Sequence, residues 1–319
     1  MAMGAVMPWT DRIGRRLKLH DLHVLMAVIQ AGSMGKAAQR LNTAQPAISR
    51  SIAALEHAFG VPLLDRSRRG VEPTKHGRAL LDCGVTVFDE LRQGVKRMDF
   101  LSDPTTGEVR IGGNEAIIAG VLPAVFERLR RLYPGIAIHV TQAAAFAQQY
   151  RDLRERKIDF IFGRIAPSIE EDVDVEILFQ ERLFVVAGVR NKLSRRRKIE
   201  LAELADEPWT LAPPDSLVGS LVADAFRASG VEVPSKGLAT GLIHLQCALV
   251  ASGVFLAVFP GSMLRFCANL PPLKVLPVTL PVAPWPVGIT VLKSRTPDPA
   301  AQLFIENARE VVKPLANQK

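Results

Sequence analysis

Cysteine is scarce in this chain of 319 residues: Cys83, Cys247 and Cys267 are the whole complement, and no two share a CxxC spacing. That excludes a disulfide framework and leaves no cysteine zinc site, so the three read as buried or semi-buried free thiols of a reducing cytoplasm. Catalytic machinery is missing too. There is no GxSxG, no GxxxxGK followed by Ser or Thr, no HExxH and no GxGxxG after a strand, since Ile111-Gly112-Gly113-Asn114 has the wrong spacing. His20 and His23 stand three apart without a carboxylate or thiol at ligand spacing, which places them at the surface rather than on a metal. Nothing here points to an enzyme, a cofactor or a metal.

Targeting signals are equally thin. MAMGAVMPW is apolar but short, lacks a basic leading region and runs into Asp11 and Arg12, so residues 1–17 are expected as a flexible extension rather than a signal peptide. Gly237 to Leu264 contains no Lys, Arg, Asp or Glu, yet His244, Gln246, a Ser252-Gly253 break and Pro260 interrupt it. That pattern fits a buried helix, a glycine stop and a buried strand better than a membrane span.

What is present is a folded, multidomain composition, 48% apolar, with a net charge of +8. The charge is unevenly placed. Residues 1–78 hold 12 Lys/Arg against 5 Asp/Glu, and the rest of the chain is almost balanced. A basic first quarter joined to a near-neutral remainder is the footprint of a nucleic-acid-binding module with a neutral partner domain.

Within that quarter, SMGKAAQRLNTAQPAISRSIAALEHAFGVPLLDR, residues 33–66, reads as a short helix, a tight turn, a longer helix and a strand ending in arginines. Ser33 offers a hydroxyl to the first helix, and small Ala37 and Ala38 allow a second helix to cross closely. That second helix restarts at Gln45-Pro46, proline being tolerated in a first turn. Ala47, Ile48, Ile52, Leu55 and Phe59 form its inward stripe, which leaves Gln45, Ser49 and Arg50 facing away. The start of an α-helix fits the major groove, where glutamine suits adenine and arginine suits guanine.

The ordered motifs AAQRLN, AQPAISRSIAALE and FGVPLLDRSRRGVEPTKHG resemble the winged helix-turn-helix of the LysR-type transcriptional regulators over Leu19 to Gly77. The resemblance implies double-stranded DNA as partner. Ser33, Gln45, Pro46, Ser49 and Arg50 would form the reading edge, and Arg66, Arg68 and Arg69 a wing along the backbone or minor groove. Ala44 departs from the family, where Ser or Thr is common as the helix cap; either Thr43 takes that place or the cap is weak.

Thr74 heads a long helix to about Leu101, with Leu81, Gly84, Phe88, Leu91, Val95 and Met98 at spacings of three and four. Such a stripe wants a partner helix, and the resemblance implies homo-oligomerisation through it, as a dimer or a tetramer of two pairs. Beyond the turn-rich residues 102–107, strands and helices alternate, which implies a parallel sheet covered by helices. A second unit of the same kind starts near Arg182. The resemblance implies an effector-binding region built like the periplasmic solute-binding proteins of type 2. The expected organisation is a winged helix-turn-helix at 18–75, a linker and dimerisation helix at 76–101, and a two-lobed α/β domain at 107–319. Lobe 1 would take about 107–181 and 262–319, and lobe 2 about 182–261.

Two α/β lobes enclose a cleft in which small ligands bind. In each lobe a strand runs into a polar turn and then a helix, so Gly113, Asn114 and Glu115 in the first and Asp215 and Ser216 in the second are candidate effector contacts. Arg164, just past a strand, is a cleft candidate or a surface residue. Thr240 is a further candidate, and His244 reads as either a ligand group or a core histidine. The leading reading is a cytoplasmic transcriptional regulator that binds DNA and an unknown small-molecule effector, with RNA polymerase as a candidate partner. Its rivals are a solute-binding protein and a cytoplasmic α/β enzyme without a DNA role.

Overall fold

The computed structural model describes residues 17–67, 70–143, 145–234, 237–266 and 272–316. The extension expected at 1–17 therefore lies outside the described residues but for Leu17, as do Arg68, Arg69 and Cys267. The chain divides into two compact units, residues 1–95 and 96–319.

The first unit begins with helix α1 (Leu19–Ala31), which stops at Gly32 with φ +62°, in the left-handed region that glycine enters without strain. Helices α2 (Met34–Arg40) and α3 (Gln45–Phe59) follow, and strands β1 (Leu64–Ser67) and β2 (Gly70–Pro73) form an antiparallel hairpin. Leu25, Val28, Ala37, Ile52 and Leu55 are fully enclosed at the junction of the three helices. Ala37 has no side chain beyond Cβ, which permits the close crossing; each buried Ile or Leu contributes roughly 1.5–3 kcal/mol. Glu56 ties the end of α3 to the hairpin by accepting from the Leu63 N–H at 2.8 Å. Helix α4 (Lys75–Ser102) starts where its sequence said it would, Thr74 Oγ1 accepting from the Gly77 N–H at 3.0 Å. Cys83 is exposed, unlike the buried or semi-buried thiol expected, because it lies off the α4 face that packs Gly84 against Leu22 and Met26.

In the second unit, strand β3 (Thr106–Gly113), helix α5 (Glu115–Leu132), strand β4 (Gly135–Gln142), helix α6 (Phe146–Arg154), strand β5 (Phe160–Arg164) and strand β6 (Val173–Glu181) build most of the first lobe. Strand β7 (Leu183–Gly188), strand β8 (Trp209–Leu211), helix α7 (Leu217–Ala228), strand β9 (Gly237–Ala239), helix α8 (Ile243–Ala251) and strand β10 (Leu256–Pro260) build the second. Helix α9 (Gly261–Phe266), strand β11 (Leu273–Val275), strand β12 (Trp285–Leu292) and helix α10 (Pro299–Ala316) complete the chain. The sheet orders are β4-β3-β5-β12-β6 and β11-β7-β10-β8-β9.

Two expectations are corrected here. The sheets are mixed rather than parallel: β12 runs antiparallel to β5 and β6, and β7 runs antiparallel to β10 and β11. A strand that enters a sheet by crossing from the other lobe is free of the helical crossover that keeps neighbours parallel. Nor does the chain return to the first lobe at 262. Leu273–Val275 pairs with β7 in the second sheet, so the return falls between Val275 and Trp285.

Helix α9 lies between the lobes. Gly120 of α5 approaches the Met263 backbone so closely that an added Cβ would sit 3.0 Å from its Cα, while the Met263 side chain is buried with Val186, Cys247 and Phe259 of the second lobe. The Glu181 carboxylate, at the β6–β7 crossing, accepts from the Arg182 N–H at 3.0 Å and the Ser262 N–H at 3.2 Å, and from the Ser262 hydroxyl. Burial pushes its pKa up, more than these donors hold it down.

A second buried carboxylate, Asp159, sits under the first lobe. It accepts from Arg295 Nη2 at 2.8 Å, Arg110 Nη2 at 3.0 Å and the Arg110 N–H at 2.7 Å, with Lys96 Nζ 3.9 Å away. Burial alone would raise its pKa; the Lys96, Arg110 and Arg295 cations overcome that and hold it below the ordinary carboxylate value. Among the described residues no helix is long and apolar enough to cross a membrane.

Candidate functional site

The first candidate surface is the leading edge of α3. Because Ile48, Ile52 and Leu55 point into the core, Gln45, Pro46 and Arg50 are turned outward and exposed, with Ser49 half-buried beside them. Ala44 occupies the cap position and no side chain caps the helix, so the weak-cap alternative describes this turn. Ser33 stands at the cap position of α2, half-buried, but makes no capping hydrogen bond. Its hydroxyl instead shares the space over Gly35 with Gln45: a Cβ built on Gly35 would lie 3.8 Å from both Ser33 Oγ and Gln45 Oε1. Arg66 is exposed on β1, paired in register with Val71. Arg68 and Arg69, expected in the same wing, fall outside the described residues.

The second candidate is a cavity of about 600 Å³ between the two lobes of the second unit. It is large enough for a small metabolite. From the first lobe it takes Asn114, Glu115, Gln142, Phe146, Gln149 and Arg164; from the second, Pro213, Asp215, Ser216, Thr240, Ile243, Gln246 and Phe259. Six of the eight residues singled out in the sequence thus line one cavity. Asn114 caps α5 by accepting from the Ile117 N–H at 3.1 Å, and Ser216 caps α7 by accepting from the Gly219 N–H at 3.1 Å. Thr240 Oγ1 accepts from the Leu242 N–H at 3.1 Å, shaping the approach to α8. Glu115 accepts from the Ile243 N–H at 3.2 Å and so bridges the two walls. Asp215 is exposed on the second wall.

Two candidates fall outside the cavity wall. Gly113 is buried behind it: its carbonyl accepts from the Ala143 N–H at 3.0 Å, and a Cβ would come within 2.7 Å of the Phe162 carbonyl, so the glycine serves the close approach of β3 to β5. His244 is exposed and is neither cavity lining nor core. Helix α8 buries Gln246, Cys247 and Val250, and one residue on from Ile243 is a turn of about 100°, which carries His244 away from that face.

Arg164 is the one cationic side chain among the described residues of the wall. It closes β5, its guanidinium carbon stands 5.7 Å from the centre of the Phe146 ring, and its Nε is buried without a hydrogen-bond partner. Burial draws its pKa below the ordinary arginine value. Phe146, Gln142, Gln149 and Gln246 are lining residues that the sequence reasoning missed. Phe146 had a usable signal, an aromatic at the head of a helix that follows a strand; the glutamines had none.

Comparisons with known proteins agree with both halves of this architecture. Residues 19–78 match the bacterial regulatory helix-turn-helix protein, lysR family, and residues 102–313 match the LysR substrate binding domain. The HTH-type transcriptional regulator GbpR of Rhizobium radiobacter is 31% identical over 255 residues, covering 79% of this chain and 84% of that protein. Crystallised full-length BenM is 27% identical with a TM-score of 0.52, over 93% of this chain and 97% of its own; the regulator of that name from Acinetobacter baylyi is 29% identical over 279 residues, 86% of this chain and 90% of that one. Full-length OxyR from Pseudomonas aeruginosa shares the fold at 20% identity, with a TM-score of 0.65 over 95% of this chain and 99% of its own. The chain belongs to the LysR family: it is a DNA-binding transcriptional regulator with an effector-binding domain, and not an enzyme.

Proposed function

We propose that this regulator reads its operator with the leading edge of α3, Gln45, Pro46, Ser49 and Arg50 entering the major groove and Ser33 alongside them, while Arg66, Arg68 and Arg69 grip the phosphates from the wing. The observation that carries this reading is the outward turn of Gln45, Pro46 and Arg50 above a buried Ile48, Ile52 and Leu55 stripe. Base edges then supply sequence choice and phosphate contacts supply salt-dependent affinity. In this reading residues 18–75 are the reader, 76–101 the linker and dimerisation helix, and the α/β unit from about 107 the effector domain.

The effector binds in the interlobe cavity, through Asn114, Glu115, Arg164, Asp215, Ser216 and Thr240, and acts by binding one arrangement of the assembly more tightly than another. The assembly is a homo-oligomer, a tetramer of two pairs, formed through α4, where Leu91, Val95, Met98 and Leu101 are 48–82% exposed at spacings of four and three. It works in the cytoplasm, beside the DNA and RNA polymerase. Selection of duplexes from a random library by the full-length protein, with sedimentation of the free and bound forms, tests the reading: one enriched palindromic motif bound by an even number of chains supports it, and retention of duplexes without any sequence preference overturns it.

A further inference from the structure

We propose that residues 190–198 of the second unit form a second duplex contact, an arginine-rich grip on DNA phosphates in addition to the reader of the first unit. Six of these nine residues are cations, Arg190, Lys192, Arg195, Arg196, Arg197 and Lys198, with no acid among them. Outside this segment the chain beyond residue 78 holds 22 Lys/Arg against 27 Asp/Glu, so the positive charge beyond the first quarter is concentrated here. All six side chains are exposed. Three have carboxylate partners: Lys192 meets Glu207 at 2.8 Å, Lys198 meets Glu200 at 2.8 Å, and Arg196 meets Glu203. Arg190, Arg195 and Arg197 pair with no acid among the described residues. The surplus is three guanidiniums on one short segment, and an array of phosphates relieves their mutual repulsion.

A run of like charges is often a solvated tail with no fixed shape. This one is pinned. Leu193 and Ile199 are buried beneath it, and Asn191 Nδ2 donates to the Gly253 carbonyl at 2.9 Å. The Asn191 side-chain oxygen accepts from the Leu193 N–H at 2.9 Å, and the Ile199 N–H donates to the Pro277 carbonyl at 3.3 Å. A single 3-10 turn, Lys192–Arg195, therefore presents its cations from a fixed backbone, and less freedom is lost when a partner docks. Strand β7 starts at the interlobe crossing and ends at Gly188, which carries the loop away from that crossing, and none of the six cations lines the interlobe cavity. Duplex DNA is the partner that fits, since a helix-turn-helix already brings this chain to it. Four of the six cations are arginines, whose planar fork matches two phosphate oxygens. A protein partner would want an apolar centre, and no large hydrophobic side chain is exposed over residues 190–207. Phosphate contacts of this kind strengthen and position binding without reading bases.

The test measures duplex affinity of the full-length protein against salt concentration for three proteins. These are the wild type, a loop variant carrying Arg190→Ser, Arg195→Ser and Arg197→Ser, and a control that loses three exposed cations elsewhere on the second unit, Arg131→Ser, Arg151→Ser and Lys293→Ser. Each lost phosphate contact lowers the slope of log affinity against log salt by about 0.9, so one contact is worth about eightfold for each tenfold dilution of salt. The loop variant is expected to lose between about one and about three units of slope per bound chain, on the selected motif and on random-sequence duplex alike. Its base preference and melting temperature are expected to match the wild type. A benzophenone side chain placed at position 197 is expected to cross-link to duplex DNA; if the loop variant melts lower, this cross-link decides, because it is read on a chain that keeps Arg190 and Arg195. An unchanged slope, an equal fall in the control, an altered base preference or the absence of a cross-link overturns the proposal while leaving the α3 reading intact. Polyglutamate bound by the wild type and lost by the loop variant, with the DNA slope unaltered, makes the loop a protein-docking surface and overturns it as well.

Discussion

Glu115 and Ile243 stand on opposite walls of the interlobe cavity, and the Glu115 carboxylate accepts a hydrogen bond from the Ile243 backbone N–H at 3.2 Å. One contact thus joins the first turns of α5 and α8, and it is a charge-assisted bond to a helix start whose N–H groups otherwise lack acceptors. Replacing Glu115 with Ala should cost about 1 kcal/mol of stability and speed amide exchange at Ile243 without unfolding either lobe. Unchanged exchange at Ile243 would show that the bridge is not made in solution.

In the second unit Asp159 faces three cations, Arg110, Arg295 and Lys96. Asp159→Asn removes the carboxylate that Arg110 and Arg295 share, while Lys96 keeps Asp298 at 2.9 Å, and should destabilise this unit by roughly 3 kcal/mol. Its folded pKa lies below the unfolded one. The stability it lends is therefore complete above the unfolded value, about 3.9, and is lost as pH falls below that toward the folded value. Urea unfolding of wild type and Asp159→Asn from pH 7 to pH 3 should give curves that converge at the acid end.

Glu181 should behave in the opposite sense. Burial raises its folded pKa, so the native state holds its proton to higher pH than the unfolded chain. Relative to Glu181→Gln, which cannot titrate, wild-type stability should decline as pH rises above about 4.3 and level off beyond the folded pKa. A gap between the two proteins that stays constant from pH 4 to pH 8 would refute this.

In the first unit Gly77 is fixed by its neighbour: a methyl group there would collide with the Leu63 carbonyl. Gly77→Ala should therefore cost about 1–3 kcal/mol, as overpacking does, and loosen the start of α4 against the hairpin. Thermal unfolding of residues 1–95 within the full chain, followed by exchange of the Leu64–Pro73 pairs, measures it.

For the reader, Arg50→Ala should weaken operator binding by roughly 1–3 kcal/mol and relax preference at one base position, whereas Arg66→Ala should weaken all duplexes alike and lower the salt dependence by about one phosphate contact. Titrations on an operator mutated position by position distinguish the two. Equal loss at every position for Arg50→Ala would reverse the assigned roles.

The sequence was most legible where structure is local. Ile48, Ile52 and Leu55 mark the buried face of α3 by spacing alone, and Thr74 marks the start of α4 by its hydroxyl. Legibility fell where pairing is remote. Strand β6, with Asp174 and Glu176 at an exposed sheet edge, carries no clean alternation, and the three residues of β11 are a strand only because β7 lies beside them. In the cavity, the polar turns at Asn114 and Ser216 were readable because helix starts need caps. The loss of His244 and the gain of Phe146 depended on helix phase, which a shift of one residue alters by about 100°.

The stapling of the β6–β7 crossing to α9 by Glu181 gives the lobes a fulcrum. Glu181 and Arg164 flank β12 on opposite sides, opposite Trp285 and Val287, so their backbones stand two residues apart along the strand and two strand spacings across it, about 12 Å at roughly 3.4 Å per residue and 4.8 Å per strand. An occupant of the interlobe cavity would press on the lobes near that fulcrum, on the short arm of a lever. A tilt too small to disturb the strand register beside it would sweep the distal rims of the lobes through a far larger arc, which turns a contact with a few atoms into a change of shape that neighbouring subunits can feel.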